Sequence, residues 1–146
     1  MTAVVERVER LNRASLRRVI EPDADLPGSI GDGQLMADEL LSIAGMDLDL
    51  TAEQRRILSR EEVASMFSAG TRFEAVLEIG FARQVAYARD LTDPRITYLL
   101  HEIGEETRHQ RLFIRLISQI NPQAVHPLEG KAWMDRLDRF GTGWIT

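Results

Sequence analysis

The sequence predicts an all-α protein built around one long antiparallel helical hairpin, and three observations carry that prediction. Apolar residues recur at helical spacing over two long stretches, about 60–90 and about 94–120. Only two to four residues separate those stretches, which makes the two helices antiparallel neighbours. No strand-like alternation of useful length, internal repeat or low-complexity tract appears anywhere else. With 146 residues the chain makes one domain of ordinary size, read as spanning 1–146, with a connection at 21–33.

The elements follow in chain order. Over residues 2–20, Val4, Val8 and Leu11 form an apolar stripe, widened by Val5, Leu16, Val19 and Ile20, while Glu6, Arg7, Arg10, Arg13 and Arg17 lie largely outside it. An amphipathic helix is predicted there. Pro22, Pro27, Gly28, Gly31 and Gly33 break the pattern, so 21–33 reads as a connection. Between Val19 and Gln54 the chain has nine acids and no Lys or Arg, a charge run that reads first as solvated surface. Residues 34–45 are predicted as a short helix ended by Gly45.

Thr51 with Gln54, and Ser59 with Glu62, both fit the pattern in which side chains satisfy the free N–H groups of a first helical turn. Two helix starts are therefore marked, the second opening the long helix from about Arg60 to Asp90. Asp93-Pro94 reads as N-cap and first-turn proline of the next helix, which Asn121-Pro122 stops after about Ile120. A weaker helix is predicted over 129–140, with Trp133, Phe140 and Trp144 as core or partner-surface residues.

Composition narrows the function classes. The absence of cysteine removes disulfides, thiolate nucleophiles, zinc–thiolate and iron–sulfur sites together, so a metal would have to be held by carboxylate and imidazole. A net charge of −5 argues against nucleic acid or an anionic membrane as partner, although all but one of the 18 basic residues are Arg. The first residues turn charged too early for a secretory leader, and no stretch approaches 18 uninterrupted apolar residues, so a cytoplasmic protein without a membrane span is expected. No glycine-rich phosphate loop, Ser-His-Asp ordering or nucleotide fingerprint is visible.

What remains is a cluster of inward-facing acids. On a helical projection with Glu74 at zero, Phe67, Gly70, Leu77, Phe81 and Val85 fall within about 60°. Glu74 thus points into an apolar stripe, with Glu78 about 40° away as an alternative at its edge. On the second helix, Leu99, Glu102, His109, Phe113, Ile117 and Ile120 lie within about 60° of Glu106. Burying such carboxylates costs several kcal/mol unless a cation or base compensates them. Arg72, Arg83, Arg95 and Arg108 are the local bases, and most point elsewhere. Counted from the turn, Glu74 and His109 each lie about 17 residues away, hence at similar depth.

A Glu-x-x-His match such as Glu106-Thr-Arg-His109 is expected about 0.3 times by chance in this composition, so it says little by itself. Its place mid-helix, on the apolar face and opposite an inward Glu, makes it the half-site pattern of two-metal carboxylate bundles. His101, about 140° from Glu106, reads as a surface or inter-helix histidine. Glu102, one turn before Glu106, can bond a ligand or equally pair with solvent or Arg. Gly70, Gly80 and Gly104 inside helices suggest close helix approach or room for a substrate.

The segments Arg72-Phe-Glu-Ala-Val-Leu-Glu, Phe81 to Arg95, and Tyr98 to His109 resemble the first half of the p-aminobenzoate N-oxygenase (AurF-like) di-iron oxygenases, of the ferritin-like superfamily. That resemblance implies a ferritin-like helical bundle, incomplete in this chain and corresponding to the N-terminal half of a longer family domain. It implies Glu74 and His109 as terminal metal ligands, Glu106 as a bridging one, and Glu102 and Glu105 in the shell around them. Glu105 stands where the family commonly has Asp, which affects an outer hydrogen bond rather than the ligand set. No catalytic residue is expected beyond the metal site.

The resemblance further implies two irons, with manganese as the other candidate, and dioxygen, an electron donor and a small organic substrate undergoing arylamine N-oxygenation or hydroxylation. The family's second half supplies another Glu and a His-x-x-x-Glu-x-x-His helix. After His109 this sequence has only His126, followed by Pro127. Three ligands cannot hold two irons, so either the chain is part of a longer oxygenase or two copies complete the site across a twofold axis as a homodimer. The other readings are a homodimeric ferroxidase module and a metal-free helical interaction domain whose acids are paired with Arg.

Overall fold

A computed structural model describes residues 3–17 and 19–124. The described residues form helices and connections with no strand. In order these are α1 (Ala3–Ser15), a single turn α2 (Pro22–Asp25), a 3-10 turn (Asp38–Leu40), α3 (Ala52–Ala86) and α4 (Pro94–Ile120). Helices α3 and α4 pair as the predicted hairpin and span about 52 and 40 Å at 1.5 Å per residue. α1 and α2 both pack on α4. The predicted helix at 129–140, His126, Trp133, Phe140 and Trp144 lie outside the described residues.

Of the two predicted helix starts only the first is used. Thr51 accepts the Gln54 N–H at 3.2 Å while the Gln54 carboxamide accepts the Thr51 N–H at 2.9 Å, so both polar groups of the entry are satisfied. The Ser59 to Glu62 pattern lies inside the helix and is spent on tertiary contacts. Ser59, fully buried, donates to the Arg56 carbonyl at 3.0 Å and accepts the Leu35 N–H at 3.1 Å. Glu62 accepts the Ser42 N–H at 2.9 Å. The helix therefore begins eight residues earlier than Arg60. It also ends at Ala86 rather than near Asp90, whose carboxylate instead accepts the Thr92 N–H at 2.8 Å to shape the turn.

α4 follows its predicted limits. Asp93 caps it by accepting the Arg95 N–H at 2.9 Å, Pro94 occupies its first turn, and Asn121 leaves it in the left-handed region at φ 50°. The predicted helix over 34–45 is instead one 3-10 turn. Gln34 donates to the Met36 carbonyl, a local side chain to backbone bond that competes with a helical one, and also to the Asp38 carboxylate. Gly45 ends the following turn at φ +82°, a conformation that favours glycine. The first helix stops at Ser15, so Val19 and Ile20 belong to the strand of chain that leaves it.

The acid-rich run is not merely solvated surface. Arg111 contacts Glu21 at 2.7 Å and Asp23 at 3.1 Å, and Arg115 donates to the Pro22 carbonyl at 2.9 Å and also to that of Leu26. Asp38 pairs with Arg55 at 2.7 Å. Arg111 and Arg115 are one turn apart on α4, so one helical face pins the descending segment. Further down, Gln119 accepts the Ile30 N–H at 2.8 Å, and Arg60 donates to the Gly31 and Gly33 carbonyls at 2.7 and 3.2 Å. The buried apolar residues Leu41, Ala64 and Ile120 lie toward this end of the hairpin.

Candidate metal centre

Helical register brings three predicted residues to one place. Glu74, near the middle of α3, faces Glu106 and His109 on α4, and one donor atom from each lies within 4.8 Å of the others. His109 Nδ1 is 3.4 Å from Glu74 Oε1 and 3.1 Å from Glu106 Oε2. The i, i+3 spacing sets Glu106 and His109 side by side, and the short hairpin turn sets Glu74 level with them. No Arg salt bridge reaches Glu74 or Glu106 among the described residues.

Packing sharpens the position. The Phe67 and Phe113 rings stack across the hairpin with centroids 5.1 Å apart, and the His109 ring stacks on Phe113 at 6.4 Å. A Cβ on Gly70 would lie 3.0 Å from the edge of Phe113, so glycine there admits the ring that backs the histidine. The predicted close approach is thus real at Gly70, whereas Gly80 has open space where a Cβ would stand.

The electrostatics are those of an uncompensated anionic pocket. The Glu74 side chain is 13% exposed, and its Oε2 is buried with no hydrogen-bond partner. Burial pushes the Glu74 carboxyl up from its ordinary value; His109 opposes this, while Glu106 and Glu78 add to it. A cation between these donors would satisfy the orphaned oxygen and remove the like-charge repulsion. Carboxylate oxygens with one imidazole suit a divalent iron or manganese ion, and the residues present fit such a group.

The remaining predicted residues lie around this trio without joining it. Glu78 accepts the Thr107 hydroxyl at 2.9 Å, which ties α3 to α4 one turn from Glu74. Glu102 lies near Tyr98, and its carboxylate is the chief cause that raises the tyrosine hydroxyl pKa. Glu105 lies 3.7 Å from Arg108. His101, on α4, is half-buried and lines a pocket with Ser15, Leu16 and Val19 at the end of the first helix.

Sequence reasoning missed the strap over 19–26 and the cavity it makes. Ile20, Pro22 and Leu26 enclose about 240 Å³ with Leu112, Arg108, Glu105 and His109. The acids at 21 and 23 and the arginines one turn apart at 111 and 115 were the available signal.

A helical hairpin with two facing carboxylates and an imidazole on its apolar side has the donor set of the carboxylate class that could hold a metal ion. Within that class the chain belongs to the p-aminobenzoate N-oxygenase AurF family, whose sequence model matches residues 2–145. Comparison with curated proteins and with solved structures gives no match. No helix among the described residues is long and apolar enough to cross a membrane.

Proposed function

We propose that this chain carries half of a non-haem di-iron centre of an oxygenase that uses dioxygen to oxidise a small aromatic amine. Membership of the AurF family supports the reaction class, and the unpartnered buried oxygen of Glu74 beside Glu106 and His109 is the observation that carries the metal assignment. Glu74, Glu106 and His109 would hold the metal through their carboxylate oxygens and imidazole nitrogen. Bound iron supplies the electrons that activate dioxygen. Manganese is the competing ion, since the same donors suit it.

The chain's own residues keep that chemistry in order. Phe67 and Phe113 wall the site against water on the hairpin side. Glu78 and Thr107 hold the helices in register, and Tyr98 and Arg108 stand beside the surrounding carboxylates of Glu102 and Glu105. Placing one oxygen atom of dioxygen on an arylamine nitrogen, with the other leaving as water, consumes two electrons and two protons. An external reductant therefore belongs to the reaction, in a cytoplasmic setting.

The test is uptake of Fe(II) by the full chain under inert gas, measured by equilibrium dialysis and elemental analysis. Glu106→Ala and His109→Ala are each expected to weaken uptake at least about tenfold, as loss of a ligand does. Unchanged uptake in both variants overturns the ligand assignment. With dioxygen, reductant and p-aminobenzoate added, mass spectrometry should detect N-oxygenated product wherever the centre is complete. Iron oxidised catalytically with no change in the amine would make the chain a ferroxidase instead.

A further inference from the structure

His109 is the least enclosed of the three donors. Its side chain is 51% exposed, against 13% for Glu74 and 18% for Glu106. A histidine ring turns about χ2 in a broad, roughly twofold well, and its two nitrogens are distinct ligands. An imidazole this exposed needs something to set its plane and the nitrogen it offers. In the structure Nδ1 is the nitrogen beside both carboxylates, 3.4 Å from Glu74 Oε1 and 3.1 Å from Glu106 Oε2.

The neighbours differ in what they can fix. The two carboxylates act on one edge of the ring. They favour the χ2 orientation that turns Nδ1 toward them over the half-turn that puts the carbon Cδ2 there, but they do not hold the ring's plane. The strap residues Ile20, Pro22 and Leu26 border a cavity with His109, so on that side the ring meets space rather than packed atoms. The contact that remains is Phe113, one turn further along α4, whose ring is stacked on the imidazole at 6.4 Å and 25°. Phe113 is itself held from α3: Phe67 stacks on it at 5.1 Å and 16°, and the missing Cβ of Gly70 leaves the room that its edge takes up.

We propose that Phe113 is a positioning residue of the metal centre: its ring, seated against Phe67 and Gly70, sets the plane of the His109 imidazole so that Nδ1 is the nitrogen presented beside Glu74 and Glu106. This rests on the metal reading above and adds what aims the imidazole. Packing supplies the plane, and the carboxylates choose the edge within it.

The test uses Zn(II), a diamagnetic ion that accepts carboxylate oxygen and imidazole nitrogen, added to the full chain labelled with 15N-histidine. The chain has three histidines, and His109→Gln assigns the signals of interest. In the wild-type chain Zn(II) should shift the Nδ1 resonance of His109 while Nε2 keeps its proton. Phe113→Leu should bind Zn(II) at least about tenfold more weakly and spread the shift over both nitrogens. Phe113→Tyr, which keeps the ring, should restore the affinity and the Nδ1 signature. Phe81→Leu removes another ring from the same half-buried stripe of α3, seven residues beyond Glu74. It should lower the thermal midpoint without changing affinity or nitrogen.

Unchanged affinity and Nδ1 coordination in Phe113→Leu overturns the positioning role and leaves the ligand assignment standing. Equal weakening by Phe81→Leu overturns it too, since the effect then belongs to hairpin packing at large, and so does coordination through Nε2 in the wild-type chain. Should circular dichroism show that Phe113→Leu has lost its helices, Gly70→Ala gives the same readouts, because its Cβ would stand 3.0 Å from the Phe113 ring and displace it. No Zn(II) or Fe(II) uptake by the wild-type chain overturns the metal reading itself, and the positioning role with it.

Discussion

The two halves of the hairpin are built on opposite principles. At the end where α3 begins and α4 finishes, many polar groups that approach the helices are spent, although Arg115 Nε is buried there without a partner. Arg60 bonds two glycine carbonyls, Ser59 and Gln119 take backbone N–H groups, and Glu61 accepts the N–H groups of Gln123 and Ala124 at 2.7 and 3.0 Å. In the middle, Glu74 keeps an oxygen with no partner, His109 stands half-exposed, and Phe73 faces out. One region is closed mainly by hydrogen bonds between distant segments. The other concentrates uncompensated charge and open apolar surface, the local inconsistency expected where a protein binds something.

The comparison breaks most directly at Arg115. Arg115→Ala removes hydrogen bonds to the Pro22 and Leu26 carbonyls and the contact with Asp23, and should cost about 2–3 kcal/mol in urea unfolding. Proteolysis within 19–33 should accelerate in the same variant. A loss under about 0.5 kcal/mol would mean that the strap adds nothing to the closed end.

Next comes Gly70. Its added Cβ would already press on Phe113 at 3.0 Å, so Gly70→Val should cost about 1–2 kcal/mol and disturb the ring that backs His109. Gly80→Ala meets no atom within 4 Å and should instead gain up to about 1 kcal/mol from helix propensity. Equal effects at the two glycines would contradict the close packing assigned to the first.

The smallest effect depends on pH. Because burial holds Glu74 above its ordinary value of 4.5, the folded metal-free chain binds that proton more readily than the unfolded chain does. Its stability is therefore greatest below 4.5 as far as this group is concerned, and is lost as pH rises through the raised folded value. Glu74→Gln should raise the thermal midpoint of the metal-free chain by about 3 °C near pH 7.5 and change it little near pH 4. A midpoint difference independent of pH would assign the effect to packing rather than to charge.

Much of this could be read before any coordinates. The limits of α4 follow from Asp93-Pro94 and Asn121-Pro122, and the level of Glu74 against His109 follows from counting along two regular helices from a short turn. The start of α3 was ambiguous because Thr51 and Ser59 carry equivalent local patterns. What separates them is Leu35, whose N–H reaches Ser59 from 24 residues away. Glu78 shows the same limit: its position allows a ligand role, and only the cross-helix bond to Thr107 reveals where its carboxylate goes.

Sequence by itself determined the helical hairpin, its register, and the three donors that share one depth, because helical periodicity is local and a short turn transmits it from one helix to the next. Tertiary structure alone decided where the acid-rich strap lies, which serine lies buried inside a helix, and which side of the donor group stays open. Those outcomes depend on pairings between residues far apart in the chain, whose geometry no local pattern encodes.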